Sequence, residues 1–117
     1  MSRDIMVQDF PADARSVDEI PDSYRPRLIG TRSEIIERLT ARFAKLDFSD
    51  PAWGVLEGEG FSMELNIGES EEVDGMMLHV YGAGEVMSVV QGILDCLGVR
   101  AIDISSGEFL SPSSHAH

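Results

Sequence analysis

Phe61-Ser62-Met63-Glu64-Leu65-Asn66-Ile67 alternates apolar and polar side chains without a break, and its reading decides the fold. Successive side chains of a strand point to opposite faces, so a two-residue period marks a strand with one buried and one open face. Upstream, Gly58-Glu59-Gly60 supplies the backbone freedom of a tight turn, and Trp53 to Glu57 reads as the hairpin partner. Downstream lies an acidic connection, Gly68 to Gly75. Beyond it Met76, Leu78 and Val80 alternate with Met77, His79 and Tyr81 in another strand. Hairpin links make these middle strands antiparallel.

Helical periods flank this meander. Thr31-Arg32-Ser33-Glu34 has capping-box spacing, and Ile35, Ile36, Leu39, Phe43 and Leu46 fall on one face, which predicts a helix over 32–46. Asp47-Phe48-Ser49-Asp50-Pro51 ends it, because proline disfavours a helical residue before it. After Gly82-Ala83-Gly84, the residues Val86, Val89, Val90, Ile93, Leu94 and Leu97 form a second apolar stripe, with Gly98 placed as its C-terminal cap.

The ends of the chain complete the order. Asp4 to Phe10 reads as a first strand stopped by Pro11, and Val99 to Ile104 as a last strand before the turn Ser105-Ser106-Gly107. Residues 11–30 hold Pro11, Pro21 and Pro26 and no sustained period. A turn of helix is expected at Ser16 to Ile20, where Ser16 and Glu19 have capping-box spacing. A connection of this length is long for an idle loop, which makes it a functional suspect. The expected fold is α+β, in the order β-α-β-β-β-α-β, with a mostly antiparallel sheet and two helices packed on one face. Residues 1–110 form a single domain and residues 111–117 a flexible tail.

Charge is distributed unevenly. Residues 1–46 carry eight bases and eight acids, whereas residues 47–117 carry one base, Arg100, and thirteen acids, the whole formal charge of −12. A surface of that kind repels nucleic acid and attracts cationic partners. One cysteine, Cys96, rules out an internal disulfide and fits a reducing compartment. No apolar run has the length of a signal peptide or a membrane span, so a cytoplasmic protein, bacterial in style and without membrane contact, is expected.

Strand parity nominates an open face. If the strands at 61–67 and 76–81 pair, Glu64, Asn66, His79 and Tyr81 share one polar surface. A carboxylate beside an imidazole is suited to acid–base work, although an ordinary solvated sheet face reads the same way and no nucleophile motif accompanies the pair. Trp53 is the remaining candidate, since a lone tryptophan sits at a core edge or anchors an interface.

Other motifs favour plain structure. The loop Glu69-Ser70-Glu71-Glu72-Val73-Asp74 lacks calcium-loop spacing and reads as a solvated acidic turn. The same holds for Asp47 and Asp50, with Asp50 a turn residue holding Pro51 and Trp53. Gly82-Ala83-Gly84 is a fragment of a phosphate-cradling turn, and Glu85 behind it is negative, so a tight turn is the better account. Cys96 reads as a core-edge hydrophobe. Arg38, Arg42 and Lys45 make a basic stripe expected to lie against acids of the meander or a second copy. His115 and His117 do not make a metal site. No metal, cofactor or catalytic residue is assigned.

Several segments resemble a group of small bacterial proteins of no established function. They are Ile5-Met6-Val7-Gln8-Asp9, Ile29-Gly30-Thr31-Arg32, Asp47-Phe48-Ser49-Asp50-Pro51-Ala52-Trp53-Gly54, Phe61 to Gly68, His79-Val80 and Leu97 to Ala101. The resemblance spans residues 4 to about 109. It implies a self-contained domain and no particular activity.

The expected function is that of a non-enzymatic protein-binding domain whose acidic meander engages a basic partner. Immunity-protein-like neutralisation of a toxin is one form of it. A small enzyme using Glu64, His79 and Tyr81 is the alternative, and it requires a concave pocket with carboxylate and imidazole in hydrogen-bond reach. A homodimer is a third arrangement.

Overall fold

The computed structural model describes residues 2–113. The chain runs β1 (Ser2–Gln8), β2 (Gly30–Thr31), α1 (Arg32–Arg42), β3 (Asp47–Asp50), β4 (Trp53–Gly58), β5 (Phe61–Asn66), β6 (Glu72–Val73), β7 (Gly75–Gly82), α2 (Val86–Leu97), β8 (Arg100–Asp103) and β9 (Phe109–Leu110). One 3-10 turn lies at Val17–Glu19. Seven strands make one sheet in the order β3-β4-β5-β7-β1-β8-β9, and every neighbouring pair is antiparallel. β2 and β6 pair as a separate ribbon. The α+β class and the order of the main elements are those expected, with β2, β3, β6 and β9 added.

One parity set builds the core. Ile5, Val7, Met63, Leu65, Leu78 and Val80 of the strands form a single buried cluster with Ile35 and Leu39 of α1 and Val86, Val90, Ile93, Leu94 and Leu97 of α2. Both helices therefore cover the same face of the sheet. Among the described residues no helix is long and apolar enough to cross a membrane.

Local chemistry sets the helix ends. The hydroxyl of Thr31 accepts the amide of Glu34 at 3.2 Å, and the carboxylate of Glu34 accepts the amide of Thr31 at 3.0 Å. Both halves of the capping box are present. α1 stops at Arg42 rather than at Leu46, because Phe43 takes an extended backbone (φ −122°, ψ 96°). Its ring fits a notch in α2 at Gly92, where a Cβ would stand 2.9 Å from Phe43 Cζ. The Ser16–Glu19 spacing makes no capping box. Ser16 gives no side-chain cap, and Glu19 instead accepts the amide of Arg15 at 2.9 Å.

The segment Asp47–Asp50, expected to end the helix and to turn at Asp50, is an edge strand. Asp47 Oδ1 accepts the Ser49 amide at 2.8 Å and Asp50 Oδ1 accepts the Ala52 amide at 3.0 Å. The register shifts between Asp47 and Asp50. A short, charged, irregular edge resists pairing with another chain. At the end of β7, Gly82 (φ +91°) passes so close to the Gly58–Gly60 turn that a Cβ would lie 2.3 Å from Gly60 O. The Gly82–Gly84 stretch is thus a close backbone crossing.

The connection 9–27 is strapped onto the face opposite the helices. Arg100 and Ile102 of β8 point there, since Ala101 between them belongs to the core. The Arg100 guanidinium donates to Pro11 O and to Ala14 O, the latter at 2.8 Å, and lies 4.3 Å from the Phe109 ring centroid. Phe10 meets Phe109 edge-on. Ala14 and Ile102 are both buried yet stand outside the main core cluster. Farther along, the Tyr24 hydroxyl donates to Asp9 O at 2.5 Å, and Asp9 Oδ2 accepts the Arg27 amide at 2.9 Å. Ser111 and Ser113, placed by sequence in the tail, bond to α2 through Gln91 and Asp95. His115 and His117 lie outside the described residues.

Candidate functional site

What the connection leaves uncovered is the outer face of β4, β5 and β7 and the start of β1. The register assembles it in rows. Val55, Glu64, His79 and Asp4 stand directly opposite one another across four strands, and Trp53, Asn66, Met77 and Met6 form the next row. Glu57, Ser62 and Tyr81 make a third. The register sets Glu64, Asn66, His79 and Tyr81, nominated by strand parity, on one surface, and adds Trp53 to it.

Their contacts divide the set. His79 Nδ1 lies 2.9 Å from Asp4 Oδ1. An ionised carboxylate only accepts, so this pairing places the hydrogen on Nδ1. The Trp53 ring stacks on His79, centroids 5.6 Å apart and planes 21° from parallel. Glu64 faces His79 across the strands, but the imidazole bonds Asp4 instead. Tyr81 Oη is 3.4 Å from Glu64 Oε1, too long for a strong hydrogen bond. The negative charge of Glu64 is the leading cause that raises the Tyr81 phenol above its ordinary value, with desolvation next. Asn66 is diverted to local structure, accepting the Gly68 amide at 3.2 Å.

Asp4 and Glu57 belong to this face and were not singled out from sequence. Parity alone placed Asp4 opposite Ile5. Its neighbours depended on β1 lying beside β7, which no local pattern encodes.

Electrostatically the face is one-sided. Asp4, Glu57 and Glu64 share it, and no lysine or arginine occurs between Leu46 and Val99. Arg38, Arg42 and Lys45 lie on the helix side of the molecule. Among the described residues they make no ion pair with acids of the meander. Carboxylates that share a surface without cations raise the local negative potential.

Chemically, an Asp–His pair can hold one imidazole tautomer, yet among the described residues no serine, threonine or cysteine hydroxyl or thiol bonds His79. The carboxylate–imidazole bond that the enzyme alternative requires between Glu64 and His79 is not made, since His79 bonds Asp4. Clefts of 290–350 Å³ open elsewhere, and none of these four takes a wall from Trp53, Glu64, His79 or Tyr81. No group of three metal-ligating side chains occurs among the described residues. The arrangement suits a broad contact made by carboxylates and aromatic rings.

The chain matches no protein-family model, no curated protein and no solved structure. Function is therefore argued from the chemistry of the face.

Proposed function

We propose that the protein is a binding domain whose uncovered sheet face receives a basic protein segment. The observation that carries this reading is the row Glu64–His79–Asp4 flanked by Trp53 and Tyr81, on a face whose strands β4, β5 and β7 hold no lysine or arginine. Arginine and lysine side chains pair with carboxylates and lie over aromatic rings, so they match both components of the face. The negative field steers such a partner and sharpens its selectivity. Neutralising a cationic protein by covering its substrate site is one form this binding takes. A cytoplasmic, bacterial setting accompanies the proposal, and Cys96, a thiol outside any disulfide, fits a reducing compartment.

The test uses Trp53, the chain's one tryptophan, as a reporter inside the face. Titration with an octa-arginine peptide is expected to change Trp53 emission and to shift the amide resonances of Glu64, His79 and Tyr81. Added salt should weaken the effect. An octa-glutamate peptide should do nothing. Resonance shifts confined to the helix side, or equal responses to both peptides, would overturn the reading.

A further inference from the structure

We infer that the cleft between the end of α1 and the β4–β5 hairpin binds a small amphipathic anion, an aromatic or short aliphatic carboxylate. The cleft holds about 310 Å³ and lies on the helix side of the sheet, away from the acidic face. Phe43, Leu56, Phe61 and Val89 line it, with Arg42 and Lys45 beside them. Leu56 belongs to the core cluster and the other three apolar residues pack against it. The floor is therefore the edge of a close-packed core, which does not collapse to fill the space. Glu57 also contributes to the wall. Strand alternation sends its side chain to the face opposite Leu56, leaving its backbone on the cleft side.

A second observation gives the cleft its preference. The Arg42 guanidinium lies 5.0 Å from the Phe43 ring centroid, and its Nη2 is 3.4 Å from where a Cβ on Gly92 would stand. The charge thus lies between the Phe43 ring and the Gly92 notch of α2. Among the described residues neither Arg42 nor Lys45 has a carboxylate within ion-pair distance. In a chain of 21 acids and 9 bases, these two cations beside one apolar cleft form a positive spot on a negative molecule.

The chemistry of the occupant follows. A carboxylate meets a guanidinium through two parallel hydrogen bonds, and an apolar body covers the rings below. A neutral apolar molecule leaves both cations unused, and a cationic one meets like charge. A polyanion is repelled by the net charge of −12. A single negative charge on a small apolar frame satisfies every part of the cleft.

The experiment is a resonance titration of the full chain with octanoate, and with octanol and octylamine as controls of the same length. Octanoate is expected to shift Phe43, Phe61 and Val89 and to bind about tenfold more tightly than octanol, the size of one charge-assisted bond. The double variant R42Q/K45Q should bring octanoate to the octanol level while its spectrum stays folded. V89F should abolish binding of both by filling the space. If V89F fails to fold, the R42Q/K45Q comparison decides alone. Equal affinity for octanol and octanoate, preference for octylamine, shifts centred elsewhere, or no shift at millimolar octanoate would each overturn the inference. None of these outcomes bears on the acidic face.

Discussion

His79 donates from Nδ1 to Asp4 Oδ1 over 2.9 Å, between directly opposed residues of β7 and β1. Trp53 stacks on the same imidazole from the β4 side. The pair ties the beginning of the chain to the meander and fixes the middle of the acidic face. It also leaves the carboxylate of Glu64 without the imidazole partner that alternation suggested, free to meet a cation from outside.

The Tyr81 phenol reports that free charge. It sits above its ordinary value of 10.0 chiefly because ionising it would set a phenolate beside Glu64. E64Q removes the repulsion, so Tyr81 should titrate at lower pH. Absorbance titration in a Y24F background isolates this group, because burial also raises Tyr24. An unchanged midpoint would contradict the placement of Glu64.

Acid should weaken α1 through its cap. The Thr31 backbone amide is the leading donor that holds the Glu34 carboxyl below its ordinary value of 4.5, with the Thr31 side chain next. A depressed folded pKa stabilises the fold fully above the unfolded value, and that contribution disappears as pH falls through the folded one. Urea unfolding of E34Q should lose this part of the pH dependence below about pH 4.5. T31A should cost about 1 kcal/mol at neutral pH, the usual loss for an N-cap hydroxyl.

Two glycines should rank in a fixed order. At Gly98 (φ +68°) an added Cβ meets nothing within 4 Å, so G98A pays only for left-handed backbone, about 1 kcal/mol. At Gly82 the same backbone strain is joined by an approach of 2.3 Å to Gly60 O. G82A should cost about 3 kcal/mol or more in urea unfolding, because backbone must move. Equal losses would show that the crossing of the two turns is looser than described.

Arg100 should be the fastening of the 9–27 connection. R100M removes donors to Pro11 O, Ala14 O and Ser111 Oγ. A loss of about 2 kcal/mol is expected for bonds to a charged group. Trypsin cleavage after Arg15 and Arg27 should accelerate, while the Trp53 environment stays the same. Unchanged cleavage would mean that the prolines alone hold the segment.

The sequence carried the architecture where periods were long and local. Phe61 to Ile67, the α2 stripe and the Thr31–Glu34 box each state their structure within a few residues, and each is realised. β2, β3, β6 and β9 were illegible because strands of two to four residues show no period, and their pairing comes from distant segments. The end of α1 was misread because Phe43 continues the apolar stripe, while its ring is drawn to a glycine 49 positions away. The same limit hid Asp4 from the site. Glu64, His79 and Tyr81 were found because parity survives any strand order, and Trp53 because it is the lone tryptophan, whereas the Asp4–His79 bond depends on that order.

The central claim is that the face, and not the overall charge, binds a basic partner. Octa-arginine affinity should be compared between D4N/E57Q/E64Q and E69Q/E71Q/E72Q, two variants that remove the same number of charges. Exposed ion pairs contribute about 0.3–1 kcal/mol each, so the first variant, with three charges removed, should lose about fivefold or more. The second, altered in the acidic connection and at the start of β6, away from the face, should stay close to the parent. Equal losses in the two variants would contradict the account.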